Sequence, residues 1–266
     1  MRIAVCGCSW SSRDPHQPNF EFGQVVADYY GAEYKNYAVP GCSNFVIALQ
    51  IEQSLIDFDP DLVIINATTV TRDDFKIISS DTRYDHTKLL NSLGDTLYSN
   101  SMGSMFDDDL RKSLDDIYDK NLSQVFASQS KHDLYKKWFL TFYDADINKH
   151  KQYYQLQCML YKLQSMQKSV VFSANTFEWT ESYDLKTHDE SKNFADTKHV
   201  WDIPDKFMLR RGISDTLDIS DQIYGSWENS PGTIMSNHLA PACHQDYASH
   251  VINHINRYKL INNTVI

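Results

Sequence analysis

The chain has 266 residues, a formal charge of −10 at pH 7, 42% hydrophobic residues and 13% aromatic residues. This composition is typical of a folded globular protein and argues against a disordered chain. The acidic balance also argues against a nucleic-acid-binding protein, which needs a basic surface. No stretch approaches the roughly 18 apolar residues of a membrane span, and no signal peptide is recognisable. We therefore expect a cytoplasmic protein without a membrane partner.

The five cysteines are an odd number without the spacing of a disulfide framework, which indicates reduced thiols. Cys6-x-Cys8 followed by His16 could form one corner of a metal site. Both cysteines come at the end of an apparent buried strand, so small core residues are the favoured interpretation. We expect no metal and no cofactor.

The first 70 residues predict a βαβαβ unit. Strands are predicted at 2–6, 34–39 and 62–65, and helices at 21–30 and 43–58. Pro40 stops the second strand, and Ser43 is a good N-cap for the second helix. Val46, Leu49 and Ile56 recur at helical spacing and predict the buried face of that helix. Continuous apolar strands that alternate with helices favour a parallel sheet covered on both faces.

The rest of the chain is less regular. Residues 131–167 have a helical pattern with a break at 144–148, residues 169–174 read as a fourth strand, and Pro241 opens a final helix. The inward stripe of that final helix is predicted to comprise Tyr247, Val251, Ile255 and Tyr258.

The predicted architecture is a single α/β domain spanning 1–266. It has three layers, α/β/α, with about five parallel strands in flavodoxin-like order. Two insertions are expected, at about 73–130 and 176–233. The acidic runs in the first insertion are best explained as a solvated helix face, and the second insertion as a lid or substrate wall.

Ligands of open parallel sheets bind outside the carboxyl ends of the strands. Three segments should meet there: Gly7-Cys8-Ser9 after the first strand, 40–44 after the second and 66–69 after the third. A fourth segment, "SNHLAPACH" at 236–244, comes just before the last helix. A serine, free backbone N–H groups and a histidine are the minimum parts for acyl transfer.

These motifs resemble those of the SGNH (GDSL-type) hydrolases, in order and spacing over nearly the whole chain. Gly7-Cys8-Ser9 is similar to the block that carries the nucleophile, and Gly41 to the glycine whose N–H binds the oxyanion. His238 resembles the catalytic histidine, and His244 the second histidine, which is structural in the family. The "GCSW" opening resembles a branch found in bacteria and their phages. The resemblance implies Ser9 and His238 as catalytic residues.

The chain also departs from the family pattern. Cys8 stands where the family has Asp, Val70 stands near the position of the block Asn, and Met235 replaces the Asp three residues before the histidine. The expected oxyanion or substrate-binding residues are therefore Gly41, Asn66, Thr68 and Asn44, although Asn44 is most simply a helix-start residue. Carboxylates that could replace the missing Asp are Asp14, Asp73 and Asp246.

The expected function is that of a serine-dependent ester hydrolase or O-deacylase. Its substrate would be a small-molecule or glycan ester with a small acyl group. An O-acyltransferase differs only in excluding water from the acyl-enzyme. The competing hypothesis is a non-catalytic ligand-binding or structural protein on the same fold. The sequence leaves the oligomeric state open, and a phage-encoded protein would act in the host cytoplasm.

Overall fold

The computed structural model describes residues 1–8, 10–12, 21–39, 42–68, 72–77, 96–101, 134, 137, 141, 145–174, 202–209 and 241–261. The elements in chain order are β1 (Arg2–Cys6), α1 (Phe22–Tyr30), β2 (Glu33–Asn36), α2 (Asn44–Asp57), β3 (Leu62–Ala67), β4 (Arg72–Ile77), β5 (Thr96–Ser101), α3 (Ala145–Ser165), β6 (Ser169–Ala174), a 3-10 turn (Asp205–Phe207) and α4 (Pro241–Tyr258).

The main sheet is parallel, with the strand order β2–β1–β3–β6. β1 places Ile3 opposite Tyr34 of β2 and Val5 opposite Ile64 of β3. Every residue of β3 is buried, as expected for a strand covered on both faces. The α/β class and the flavodoxin-like order of these strands are confirmed.

The helices form the two outer layers. Because β1 lies between β2 and β3, the crossovers through α1 and α2 run in opposite directions. Right-handed connections then put these two helices on opposite faces of the sheet. The helix packing agrees, since α1 packs against α4 and α2 against α3. The three-layer α/β/α architecture is thereby confirmed.

The sheet has four strands within the described residues, and Met208 lies where a fifth strand would stand. Met208 forms an isolated parallel bridge with Phe172 of β6, and the Leu209 N–H donates to the Phe172 carbonyl at 2.8 Å. This segment belongs to the expected insertion at 176–233. The part of that insertion that is described therefore lies along the edge of the sheet.

The bounds of two strands, β2 and β3, differ from those predicted. β2 comprises Glu33–Asn36 rather than 34–39. The Asn36 Oδ1 accepts the Ala38 N–H at 2.9 Å, and the N–H groups of Tyr37 and Val39 still donate to the Val5 and Gly7 carbonyls, so the chain stays beside β1 after the strand ends. β3 continues to Ala67 rather than ending at residue 65, because Asn66 and Ala67 stay in register with β6. Asn66 therefore lies inside a strand, not after it.

The antiparallel pair of β4 and β5 was not predicted, because neither segment has an alternating apolar pattern. The solvated helix face expected for the acidic runs of the first insertion, at 106–120, falls outside the described residues. α3 begins at Ala145, inside the predicted break at 144–148, so residues 145–148 are helical, and residue 144 lies outside the described residues.

The helix faces differ at two positions. Ile56 is 74% exposed, because α2 turns Ile47 and Ile51 toward the sheet instead. Tyr258, near the end of α4, is 39% exposed. Ser43 is the N-cap of α2 as predicted, with its hydroxyl accepting two backbone N–H groups. No helix in the described part of the chain is long and apolar enough to span a bilayer.

Candidate active site

The carboxyl edge of the sheet brings together the ends of β1 and β3 and the beginnings of α1 and α4. Ser9, Gly41 and His238 lie outside the described residues, so their expected roles stay predictions. The nearest described residues are Cys8 and Trp10 beside Ser9, Cys42 beside Gly41, and the start of α4 three residues after His238.

Gln50 of α2 pairs with the backbone of Gly7, the first residue after β1. The Gly7 N–H donates to the Gln50 Oε1 at 2.8 Å, and the Gln50 Nε2 donates to the Gly7 carbonyl at 3.1 Å. The Cys42 Sγ donates to the same carbonyl at 3.3 Å. The Gln50 side chain is fully buried, so the backbone N–H and the carbonyl of Gly7 are both satisfied without water.

The chain turns tightly after Gly7. The N–H groups of Ser11 and Ser12 both donate to the Cys8 carbonyl, at 2.9 and 3.0 Å. A Cβ on Gly7 would lie 2.5 Å from the Ser11 Oγ, so this turn requires glycine. The Asn36 Nδ2 donates to the Ser11 carbonyl at 2.8 Å and ties the turn to β2.

Asn66 of β3 is the centre of a buried polar cluster. Its Nδ2 donates to the Ser11 Oγ at 2.8 Å. Its Oδ1 accepts from the Ser173 hydroxyl at 2.5 Å and from the Tyr247 hydroxyl at 2.6 Å. All three partners of Asn66 are buried. The cluster joins the turn after β1 to β3, β6 and α4.

Asn44, the first residue of α2, holds the backbone of Thr68 just after β3. The Thr68 N–H donates to the Asn44 Oδ1 at 2.8 Å, and the Asn44 Nδ2 donates to the Thr68 carbonyl at 3.0 Å. The second Nδ2 hydrogen goes to the Gln152 Oε1 at 2.9 Å. These are the contacts of a residue that positions a loop, and substrate binding by Asn44, Asn66 or Thr68 stays a prediction.

The beginnings of α1 and α4 lie side by side at this edge. Phe22 stacks on the ring of His244 with 6.3 Å between centroids and meets Tyr247 edge-on at 4.9 Å. His244 is buried, and the structural role expected for the second histidine stays a prediction. The first turn of α4 therefore lies beside the beginning of α1.

Glu21 is a buried carboxylate beside α1. Its Oε2 accepts from the Tyr34 hydroxyl at 2.9 Å and from the Asn36 Nδ2 at 3.1 Å. Burial first, and the Glu21 charge second, raise the pKa of Tyr34 well above its ordinary value, so Tyr34 stays a hydrogen-bond donor. Through Asn36, Glu21 belongs to the same polar network as Ser11.

Sequence reasoning missed four residues of this network: Glu21, Gln50, Ser11 and Ser173. Only Gln50 carried a usable signal. It interrupts the apolar face of α2 between Ile47 and Ile51, and a polar residue on a buried helix face needs a partner. Its partner, a backbone group 43 residues away, could not be read from the pattern.

The cysteines near the site are core residues. Cys6 is fully buried and Cys8 almost so, as the favoured interpretation held, whereas His16 lies outside the described residues. Burial raises the pKa of the Cys6 thiol far above its ordinary value, which keeps it protonated. Among the described side chains, no three His, Cys, Asp or Glu residues are grouped as ligands for a metal ion.

Of the three carboxylates considered as substitutes for the missing Asp, Asp246 is the one whose side chain is described. It is half exposed on α4, and its Oδ2 lies 3.5 Å from the Nε2 of His250, one helical turn further on. Asp14 and the Asp73 side chain lie outside the described part of the chain.

No family model matches the chain, and no curated protein matches it. Among solved structures, a protein from Desulfitobacterium hafniense DCB-2 assigned to the lipolytic G-D-S-L family is similar over 95% of this chain and 98% of its own length. The two chains are 10% identical and superpose with a TM-score of 0.43. A similarity of this size gives no information on activity or site residues.

Proposed function

We propose that the protein is a serine-dependent ester hydrolase or O-deacylase of the SGNH type. Its substrate is an ester of a small acyl group, carried by a small molecule or by a glycan. Ser9 is the nucleophile, and His238 is the general base and acid. The backbone N–H groups of Ser9 and Gly41 receive the oxyanion.

The observation that carries this proposal is the convergence of two distant segments on Asn66. Ser11, two residues after Ser9, is bonded to the Asn66 Nδ2, and Tyr247 of α4 is bonded to the Asn66 Oδ1. His238 comes three residues before α4 begins. These contacts of Asn66 support the proposal that Ser9 and His238 lie near each other at the carboxyl edge of the sheet, where open α/β folds bind ligands.

The proposed reaction has two steps. The Ser9 Oγ attacks the acyl carbon while its proton passes to His238, which then gives that proton to the leaving alcohol. The acyl group remains on Ser9. Water then attacks the acyl-Ser9 ester, its proton goes to His238 and returns to Ser9, and the carboxylic acid is released. An acyltransferase would replace this water by an acceptor hydroxyl.

The missing carboxylate sets the expected rate. Removing the orienting Asp from a triad costs on the order of 10⁴ in kcat. With Met235 in that position, His238 works with Ser9 as a dyad, and its second ring nitrogen takes its orientation from another acceptor. We therefore propose slow turnover rather than the rate of a full triad.

The second candidate is a non-catalytic protein on the same fold. The sequence observation in its favour is the pair of departures at Met235 and Val70, which remove a carboxylate and an oxyanion donor. Such a protein would bind a ligand without converting it into a product.

We also propose that the protein works in the cytoplasm, either of a bacterium or of a host cell if a phage encodes it. The four cysteines whose side chains are described are free thiols, and three of them are buried. Free buried thiols are typical of proteins from reducing compartments.

Turnover of short-chain p-nitrophenyl esters tests the proposal. Ser9→Ala should abolish hydrolysis, and His238→Ala should lower kcat by about 10²- to 10⁴-fold. Ser249→Ala and His250→Ala on the exposed side of α4 are the matched controls and should retain wild-type rates. If Ser9→Ala hydrolysed these esters as fast as the wild type, that result would contradict the proposal and favour the non-catalytic candidate.

A further inference from the structure

Helix α2 uses the same device twice. The side-chain amides of Gln50 and Asn44 each form two hydrogen bonds with the backbone of one residue, accepting its N–H and donating to its carbonyl. Gln50 does this for Gly7 at 2.8 and 3.1 Å, and Asn44 does it for Thr68 at 2.8 and 3.0 Å. Gly7 and Thr68 are the first residues after β1 and β3, respectively.

The burial of both pairings makes them suited to fixing a loop. All four hydrogen bonds are buried, and Gln50 and Asn44 are both 0% exposed. Losing Gln50 removes the buried acceptor of the Gly7 N–H, whereas the Gly7 carbonyl keeps the Val39 N–H at 3.1 Å and the Cys42 Sγ at 3.3 Å. A buried N–H that loses its acceptor is costly, so each pairing strongly prefers one position of its loop. Because both amides project from one rigid helix, α2 also fixes the distance between the two loops.

We propose that Gln50 and Asn44 are positioning residues, which hold the loops after β1 and β3 in the arrangement that acyl transfer needs. This inference rests on the proposed function, because the turn after β1 leads directly into Ser9. Neither amide needs to touch the substrate. Their effect passes through the backbone of Gly7 and Thr68.

The pairings predict different consequences for different substitutions. Gln50→Leu removes both bonds to Gly7, and Asn44→Leu removes both bonds to Thr68. Gln53→Leu is the matched control on the same helix, since the Gln53 amide donates to the surface carboxylate of Asp57 at 3.3 Å. All three variants exchange an amide for a hydrocarbon of similar size.

The first readout is amide hydrogen exchange resolved at single residues, which does not depend on activity. Exchange of the Gly7 amide should rise about tenfold in Gln50→Leu, and exchange of the Thr68 amide by a similar factor in Asn44→Leu. Gln50→Leu should leave exchange of the Thr68 amide unchanged, and Asn44→Leu should leave exchange of the Gly7 amide unchanged. Gln53→Leu should change neither.

The second readout is the saturation kinetics of labelling by an organophosphonate ester. A positioning role predicts that the maximal labelling rate in Gln50→Leu falls about tenfold or more, while the half-saturating concentration stays within about twofold. If Gln50→Leu fails to fold, Gln50→Glu takes its place. Its carboxyl accepts the Gly7 N–H at any pH but donates to the Gly7 carbonyl only when protonated, so the Gly7 protection factor, corrected for the pH dependence of intrinsic exchange, should rise as the pH falls.

Wild-type exchange at Gly7 and Thr68 in the leucine variants would overturn the proposal. So would Gln50→Leu labelling that matches Gln53→Leu. Failure of the wild-type protein to label would instead overturn the proposed function and the catalytic part of this inference. The exchange data would still decide whether the two amides hold the loops.

Discussion

At the residue scale, the turn after β1 leaves no room for a side chain at Gly7. A Cβ added there would lie 2.5 Å from the Ser11 Oγ and 2.7 Å from the Ser11 Cβ, closer than real side chains approach. Ser11 cannot move freely, because its carbonyl and its hydroxyl are bonded to Asn36 and Asn66. An added methyl group must therefore displace the turn that precedes the proposed oxyanion site.

We expect Gly7→Ala to lower the free energy of unfolding by about 1–3 kcal/mol, the usual cost of overpacking a buried site. It should also lower ester hydrolysis. Urea unfolding and p-nitrophenyl ester turnover measure the two effects. Gly31→Ala is the control: its φ of +60° strains an alanine, but open space surrounds it at the far end of α1, so it should reduce stability and leave kcat intact. Full activity of Gly7→Ala would contradict this role of Gly7.

His254 of α4 supplies a pH-dependent contribution to stability. Its Nε2 lies 2.8 Å from the Lys206 carbonyl, and burial, aided by the nearby Arg257 charge, lowers the pKa of the imidazole below its ordinary 6.5. The hydrogen bond to Lys206 opposes this shift. Below about pH 6.5 the unfolded chain therefore binds a proton that the folded chain does not, and stability falls as the pH falls.

We expect the urea midpoint of the wild type to drop between pH 7.5 and the lowered pKa of His254. His254→Gln should show a smaller drop over that range, because it removes one proton-binding difference between the two states. Asn253→Ala, at an exposed position without a titratable group on the same helix, should keep the wild-type pH dependence. An unchanged slope in His254→Gln would show that His254 does not titrate differently in the folded protein.

At the scale of elements, the Asn66 cluster joins four parts of the fold. The Asn66 Oδ1 has two hydroxyl donors, from Ser173 on β6 and Tyr247 on α4, and these hydroxyls lie 2.8 Å from each other. Either donor alone can satisfy the carbonyl. Losing both leaves a buried acceptor without a hydrogen bond, which is the costly case.

We therefore expect Tyr247→Phe and Ser173→Ala each to cost about 0.5–1.5 kcal/mol of stability. The double variant should cost more than their sum by about 1 kcal/mol or more. Urea unfolding of the four proteins of the cycle measures this coupling. Tyr30→Phe, which removes the hydroxyl that donates to the Asn256 Oδ1 between α1 and α4, is the control. Strict additivity would contradict the shared-acceptor arrangement.

At the scale of the whole molecule, the sheet was predictable and its polar interior was not. The apolar runs that became β1, β3 and β6 are long enough to identify buried parallel strands, and Ser43 correctly marked the start of α2. β4 and β5 are too polar to stand out. Local patterns fix which elements form, because each pattern is a property of a few neighbouring residues.

The site was predictable only in outline. The edge of the sheet follows from strand order, so the segments expected to meet there could be named in advance. Asn66 was expected after β3 and lies within it, where its amide is bonded to Ser11. Pairings such as Gln50 with Gly7 depend on tertiary distances that no local pattern encodes, so sequence reasoning could not find them.

The most direct test of the central claim is covalent labelling of the wild-type protein by an organophosphonate, read by mass spectrometry of the modified peptide. We expect stoichiometric label on Ser9, no label in Ser9→Ala, and labelling slowed by about 10²-fold or more in His238→Ala. Ser249→Ala should label like the wild type. A folded sample that takes up no label, or whose label survives Ser9→Ala, would contradict an activated serine at the end of β1.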